Sequence, residues 1–265
     1  MTEIPYEALI RFGFFGGILA VMGLWEMLAP KRPLVEPRTR RWFTNLALVV
    51  IDSLILRIFF PILALGFAFW LNHKGWGLFA WLSLPAWIEI VAAVILLDLA
   101  IYVQHVAAHK ISILWIFHRV HHADRDIDVT TGLRFHPVEI VLSMLYKMAV
   151  IALLGPAGLA VFIFEVGLNG LAMFNHSNVR LPAPADRIVR ALVVTPDMHR
   201  VHHSVIKRET DSNYGFNLSV WDRLFGTYID QPRAGHDKMT IGLPAYRDSN
   251  PSRLLWCLKL PFTRR

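Results

Sequence analysis

Four long apolar runs divide this chain of 265 residues, and they constrain its fold more than any other feature. Leu9–Leu28 reads LIRFGFFGGILAVMGLWEML, and Leu46–Leu71 reads LALVVIDSLILRIFFPILALGFAFWL. A third run extends from about Leu84 to Val106, and a fourth covers Val138–Leu171. Each is near or beyond the roughly 20 residues that carry a helix across a bilayer. A soluble core of this length needs fewer apolar residues than the 55% found here, against 18% charged. The expected fold is all-α: an integral, multi-pass membrane bundle of about four spans or hairpin halves. The fourth run is interrupted by LLGPAGLA at Leu153–Ala160, where Gly-Pro reads as a turn. Both a re-entrant hairpin and two full spans fit that pattern.

The first run does not read as a removable signal peptide. Glu26 interrupts its end, no basic segment precedes it, and no small-residue cleavage site comes before PKRP. The lone Cys257 excludes an internal disulfide and a thiolate cluster. A net charge of +7 raises the question of nucleic acid, but the basic residues flank apolar runs instead of interleaving with aromatics. No Gly-rich phosphate loop follows a strand pattern. By the positive-inside rule, KRPLVEPRTRR (Lys31–Arg41) and the terminal KLPFTRR are cytoplasmic. Run one then enters, run two leaves and run three returns at about Ala107. The polar segment Lys110–Pro137 is cytoplasmic in this reading, and a hairpin in run four puts Asn175–Arg265 on the same face. The chain reads as one unit, with an N-terminal membrane region (1–97), a catalytic region (98–228) and a C-terminal cytoplasmic tail (229–265).

Eight of the twelve histidines fall into three tight groups. HVAAH holds His105 and His109, HRVHH holds His118, His121 and His122, and a second HRVHH holds His199, His202 and His203. On a helix, positions i, i+3 and i+4 share a face, so each group aims its imidazoles at a common point. The second HRVHH has a clear helix start: Thr195 as N-cap, Pro196 at the first position and Asp197 in the first turn. Asp98, Tyr102, His105 and His109 form one stripe leaving the third run. An acid this deep is expected to accept a hydrogen bond from a ligand imidazole; the plainer alternative is a cap for polar contacts between helices. Tyr102, Asp197 and Asn175 are the other candidate supports. His73 and His236 lie in loops outside every motif and read as ordinary surface residues.

Neutral imidazole suits zinc, copper, iron and nickel. A zinc site takes about four ligands, so eight or more histidines on one membrane face point to two ions. A metal transporter would place its site near the bilayer midplane on broken helices, whereas these boxes stand in polar text such as HRVHHADRDIDVTT. A zinc hydrolase would want a glutamate inside a box as general base, and Glu139 and Glu165 lie outside. An enzyme of another kind is favoured over both.

With these motifs the sequence resembles the fatty acid hydroxylase/sterol desaturase superfamily of membrane histidine-box oxygenases. The resemblance rests on HxxxH, HxxHH and HxxHH at His105–His109, His118–His122 and His199–His203. It extends to RFHPVE (Arg134–Glu139), FNHSNVRLP (Phe174–Pro182) and NYGFNLSVWDRLFGTY (Asn213–Tyr228), covering about Asp98 to Tyr228. The resemblance implies two iron ions as cofactor, with zinc able to occupy the site in purified protein. It also implies dioxygen, a lipid substrate and an external electron donor such as a ferredoxin, a cytochrome b5-like protein or a reductase. The sterol desaturase and alkylglycerol monooxygenase branches look closest. Fatty acid hydroxylases of this superfamily usually carry a further HxxxH before the last box. Here only its second member has a match, His176, and Ala172 stands four residues earlier. Either His136 in RFHPVE supplies the missing imidazole or that metal keeps an open position for water or dioxygen; with His136 the implied ligand set is His105, His109, His118, His121, His122, His136, His176, His199, His202 and His203.

Overall fold

The computed structural model describes residues 4–263. Its long helices follow the apolar runs: α1 (Glu7–Leu28), α2 (Arg38–Phe59), α3 (Ala64–His73), α4 (Leu78–Leu82) and α5 (Ala86–Lys110). The second run departs from a single span. Pro61 has no N–H to donate and its ring blocks the preceding turn, so α2 stops at Phe59 and α3 restarts at Ala64. After α6 (Ser112–His122) the fourth run folds as two helices, α7 (Pro137–Leu154) and α8 (Gly158–His176), joined by a three-residue turn. Short helices complete the chain: α9 (Ala183–Arg190), α10 (Pro196–His202), α11 (Lys207–Thr210), α12 (Val220–Leu224) and α13 (Leu254–Lys259). Among the described residues no strand forms, only isolated bridges such as Val193–Leu218.

Among the described residues, five stretches are long and apolar enough to cross a membrane: α1, the α2–α4 stretch, α5, α7 and α8. They turn Leu9, Phe12, Val21, Ile58, Trp87 and Leu153 outward, a surface suited to lipid rather than water. The protein is an integral membrane protein. Helix α8 is its axis, packing against α1, α3, α5 and α10.

Two ends can be told apart. At the distal end the α7–α8 turn is pinned by side chains that answer its free backbone groups. Asn72 donates to the carbonyls of Gly155 and Pro156 (3.3 and 3.0 Å) and accepts from Gly158 N–H (3.1 Å). Glu89 accepts from Ala157 N–H (2.8 Å). Gly155 sits at φ 58°, and a methyl group there would come 2.0 Å from the Trp76 carbonyl oxygen, so only glycine fits. Because α5 and α8 both start here, their opposite ends carry His105, His109 and His176 to the proximal end.

The proximal end is closed by buried charge. Glu26 accepts from Val129 N–H and Asn178 N–H, each at 2.7 Å. Arg41, fully buried, donates to both oxygens of Asp124 (2.9 Å each), to Asp128 and to Thr131. Lys31 pairs with Asp197 at 2.9 Å, and Arg32 donates to the carbonyls of His236 and Met239. The basic stretch Lys31–Arg41 is therefore more than a topology signal, since several of its cations are counter-ions inside the fold. Removing one partner of such a buried pair costs about 3–5 kcal/mol, because the other charge stays desolvated. The C-terminal segment folds back onto this end, where the Leu260 and Pro251 carbonyls accept from Arg119 and Arg134 (2.7 Å each).

Candidate metal centre

Helix periodicity brings the histidines to the proximal end, and helix crossing sorts them. His105, His109, His118, His122 and His202 form one group, and His121, His176, His199 and His203 form another; within each, the ligand nitrogens lie within 4.8 Å of one another. The groups adjoin, with the rings of His121 and His122 5.2 Å apart and those of His122 and His203 4.6 Å apart. All but His109 are fully buried.

Five rings are oriented by their Nδ1–H groups. His105 donates to the Tyr214 carbonyl (2.8 Å), His121 to Arg134 (3.2 Å), His176 to Ala172 (2.7 Å) and His202 to Ser212 (2.7 Å). His118 donates to the Glu139 carboxylate (2.6 Å). A carbonyl or carboxylate can only accept, so each Nδ1 carries the hydrogen and each Nε2 turns a lone pair inward. Those inward nitrogens have nothing to bond. Nε2 of His105, His118, His202 and His203 is buried without a partner. Elsewhere the lone pairs crowd one another, with Nε2–Nε2 distances of 2.9 Å for His199–His176 and 3.1 Å for His176–His121 and for His109–His122. Two nitrogens bound to one ion at about 2.1 Å and at right angles lie about 3 Å apart. The donors thus fit metal ions better than they fit each other.

Electrostatics agree. Burial first, and neighbouring imidazoles second, hold His121, His122, His199 and His203 well below the usual histidine range. Burial lowers His202 to about 3. These five rings are therefore neutral at ordinary pH, the form a metal requires.

Several expected residues are placed elsewhere. His136 joins neither group: its Nδ1 accepts from Val138 N–H (3.1 Å) and its Nε2–H donates to the Leu258 carbonyl (3.2 Å). It is the N-cap of α7, a job that a histidine before proline is well placed to do. Asp98 accepts from Trp221 Nε1–H (2.8 Å) and Leu218 N–H (3.2 Å), not from an imidazole. It ties the α12 segment to α5. Tyr102 bonds Thr227 (2.9 Å) and stacks on Phe225. Asn175 donates to the Phe216 carbonyl (2.7 Å). Asp197 holds Lys31 and Arg200 rather than a ligand ring; burial raises its carboxyl, but these cations overcome that and keep it at about 2. His236 is buried beside Asp197 (3.8 Å) and Arg200 (3.4 Å), so it is not a surface residue, whereas His73 is exposed.

Glu139 lies outside the boxes and carries no signal in the sequence. It sits 21 residues after His118, and only the packing of α7 against α6 brings its carboxylate to Nδ1. The Tyr214 and Ser212 carbonyls were equally hidden, since a backbone acceptor leaves no mark on composition. Gly132 is also special, because a methyl group there would come 2.5 Å from the Ala172 carbonyl oxygen and 3.0 Å from His176 Nδ1.

The group adjoins a cavity of about 480 Å³ that reaches His105 and His118. Leu65, Ile101, Met144, Leu168 and Phe216 line it, and it shares Phe15, Val49 and Leu63 with a larger groove along α1, α2 and α3. An apolar chain has a route from the lipid face to the histidines.

The fatty acid hydroxylase family model matches residues 90–227, just over half of the chain and all nine clustered histidines. The chain belongs to that family. Ornithine lipid hydroxylase OlsE of Rhizobium tropici is 32% identical over 56% of this chain and 44% of its own length. Alkylglycerol monooxygenase of Xenopus tropicalis is 31% identical over 55% of this chain and 31% of its own length. The chain thus spans less than half the length of these two relatives. A cholesterol 25-hydroxylase-like protein of Danio rerio is 24% identical over 84% of this chain and 94% of its own length. No solved structure matches.

Proposed function

We propose that this chain is a membrane-bound di-iron oxygenase that hydroxylates or desaturates a C–H bond of a lipid. The observation that carries the reading is the pair of adjoining, buried imidazole groups beside a largely apolar cavity. His105, His109, His118, His122 and His202 would hold one ion, and His121, His176, His199 and His203 the other. Two irons there supply dioxygen activation and attack on an unactivated C–H bond, chemistry that zinc, having no redox states, does not offer. The chain's own groups do the rest. Backbone carbonyls and Glu139 hold the rings in one tautomer, and the cavity wall keeps water from the reacting carbon.

The named activities of the relatives support a lipid substrate. Lys31–Arg41 at the proximal end supports a cytoplasmic metal site. Electrons would come from a ferredoxin, a cytochrome b5-like protein or a reductase, and the exposed Arg180, Arg187, Lys207 and Arg208 offer such a donor a cationic face. Residues 98–228 are the catalytic region of a single unit in this reading.

Elemental analysis of protein from iron-supplied cells, purified without chelator or metal resin, tests it. About two irons per chain are expected, with oxidation of lipid in the presence of reductase and dioxygen. Metal near one per chain, or zinc that iron cannot replace with gain of activity, would overturn the reading.

A further inference from the structure

The cavity beside the histidines is not uniformly apolar. On α2, Asp52 lines its wall at 6% exposure, and no hydrogen bond or ion pair reaches that side chain among the described residues. Glu139 across the cavity repels it, and the Glu139 oxygen not used by His118 is itself buried without a partner. Other charges along the wall are satisfied. Glu165 takes Lys147 (2.8 Å) and Arg11 (2.9 Å), and Arg11 also holds Glu7 (2.8 Å). A second unpartnered charge, Arg57, stands on the same helix where cavity and outer groove meet.

Ionising a carboxyl group that is desolvated in a membrane helix without a counter-charge is costly, and such groups usually face a pathway or a ligand. A hydrocarbon tail would do nothing to offset it. An ammonium group would, because it brings donors to both oxygens and relieves the repulsion from Glu139. From this geometry we infer that Asp52 is a specificity-determining residue that receives an ammonium group of the lipid substrate inside the cavity. The inference rests on the lipid-oxygenase reading above and deepens it. The substrate is an amine-bearing lipid whose polar end lies on the histidine side of the cavity. Arg57 at the mouth suits an anionic group farther along the same molecule.

The test is direct binding of two probes, dodecylammonium and dodecanol, to the full chain in detergent. Each is measured by displacement of a fluorescent lipid, for wild type, Asp52→Asn and Asp52→Glu. Wild type is expected to bind the ammonium at least tenfold more tightly than the alcohol. Asp52→Asn should erase that preference while leaving dodecanol affinity and metal content unchanged, and Asp52→Glu should restore part of it. Equal affinities in wild type, or an undiminished preference in Asp52→Asn, would overturn the assignment. So would an Asp52→Asn protein that no longer folds, since a structural role would then explain the acid. Because binding is read without turnover, it separates from the reaction: an ammonium preference in a protein that consumes no dioxygen would sink the oxygenase reading and keep the anchor.

Discussion

The two HRVHH boxes have the same five letters and unequal places. The first ends the eleven-residue helix α6 and sends His118 and His122 to the five-histidine group but His121 to the four-histidine group. The second lies in the seven-residue helix α10 and does the reverse, with His202 in the larger group and His199 and His203 in the smaller. Each box thus straddles both candidate ions. The intervening residues differ as well. Val120 and Val201 are both fully buried, but Arg119 reaches the Leu260 carbonyl while Arg200 pairs with Asp197. Identical text therefore means identical side-chain directions on a helix, not identical partners.

Acid should act on both boxes, and with the largest effect. The folded chain holds His121, His122, His199 and His203 well below 6.5 and His202 at about 3, so below pH 6.5 the unfolded chain binds more protons. This stability is fully present above 6.5 and is lost as pH falls toward about 3. Melting of metal-free protein should be level above pH 7 and fall steeply below 6; a level profile down to pH 4 would mean that the rings are not held neutral together.

Ligand removal should separate the groups. The four-histidine group has no spare donor, so His121→Ala or His203→Ala should cut turnover by more than about 100-fold and bring iron toward one per chain, with membrane insertion intact. His122→Ala leaves four histidines in its group and should retain more of its metal. Equal losses at all three positions would erase the distinction.

Next in size is the support of the second box. Asp197→Ala leaves the fully buried Arg200 without its carboxylate and should cost about 3–5 kcal/mol in denaturant unfolding. On the first box the anchor is Glu139. Glu139→Gln should weaken metal binding by roughly 10- to 100-fold in a chelator competition, whereas the Ser212 carbonyl behind His202 cannot be removed by a side-chain change. Wild-type affinity in Glu139→Gln would demote that bond. The smallest difference lies at the helix starts. Thr195 caps α10 through Met198 N–H, while Ile111 before α6 makes no side-chain cap. Thr195→Ala should cost about 1 kcal/mol, read from the melting midpoint.

Much of this architecture was legible before any coordinates. Apolar runs marked the membrane helices, Gly-Pro marked the turn between α7 and α8, and the Thr195-Pro196 start of α10 was readable from capping preference alone. The break at Pro61 was written in the sequence too, but the surrounding apolar text masked it. The supports of the metal centre were not readable. Asp98 and Tyr102 share a stripe with His105, yet their hydrogen bonds go to Trp221 and Thr227 across the α12 segment. His136 carries the right side chain beside the right motif, but its hydrogen bonds go to the Val138 N–H and the Leu258 carbonyl.

Residue order alone fixes that the chain lives in a membrane, that it is helical, and that three histidine groups face one way at one end of it. Those properties depend on hydropathy and on the 3.6-residue period, which are local. Helix packing sets which histidine shares a group with which, that Glu139 rather than Asp98 holds a ring, and that Asp52 stands unpaired in the cavity. A helix sets where its side chains point relative to its own axis. What they meet depends on where the other axes cross, and that is settled by contacts between residues far apart in the chain.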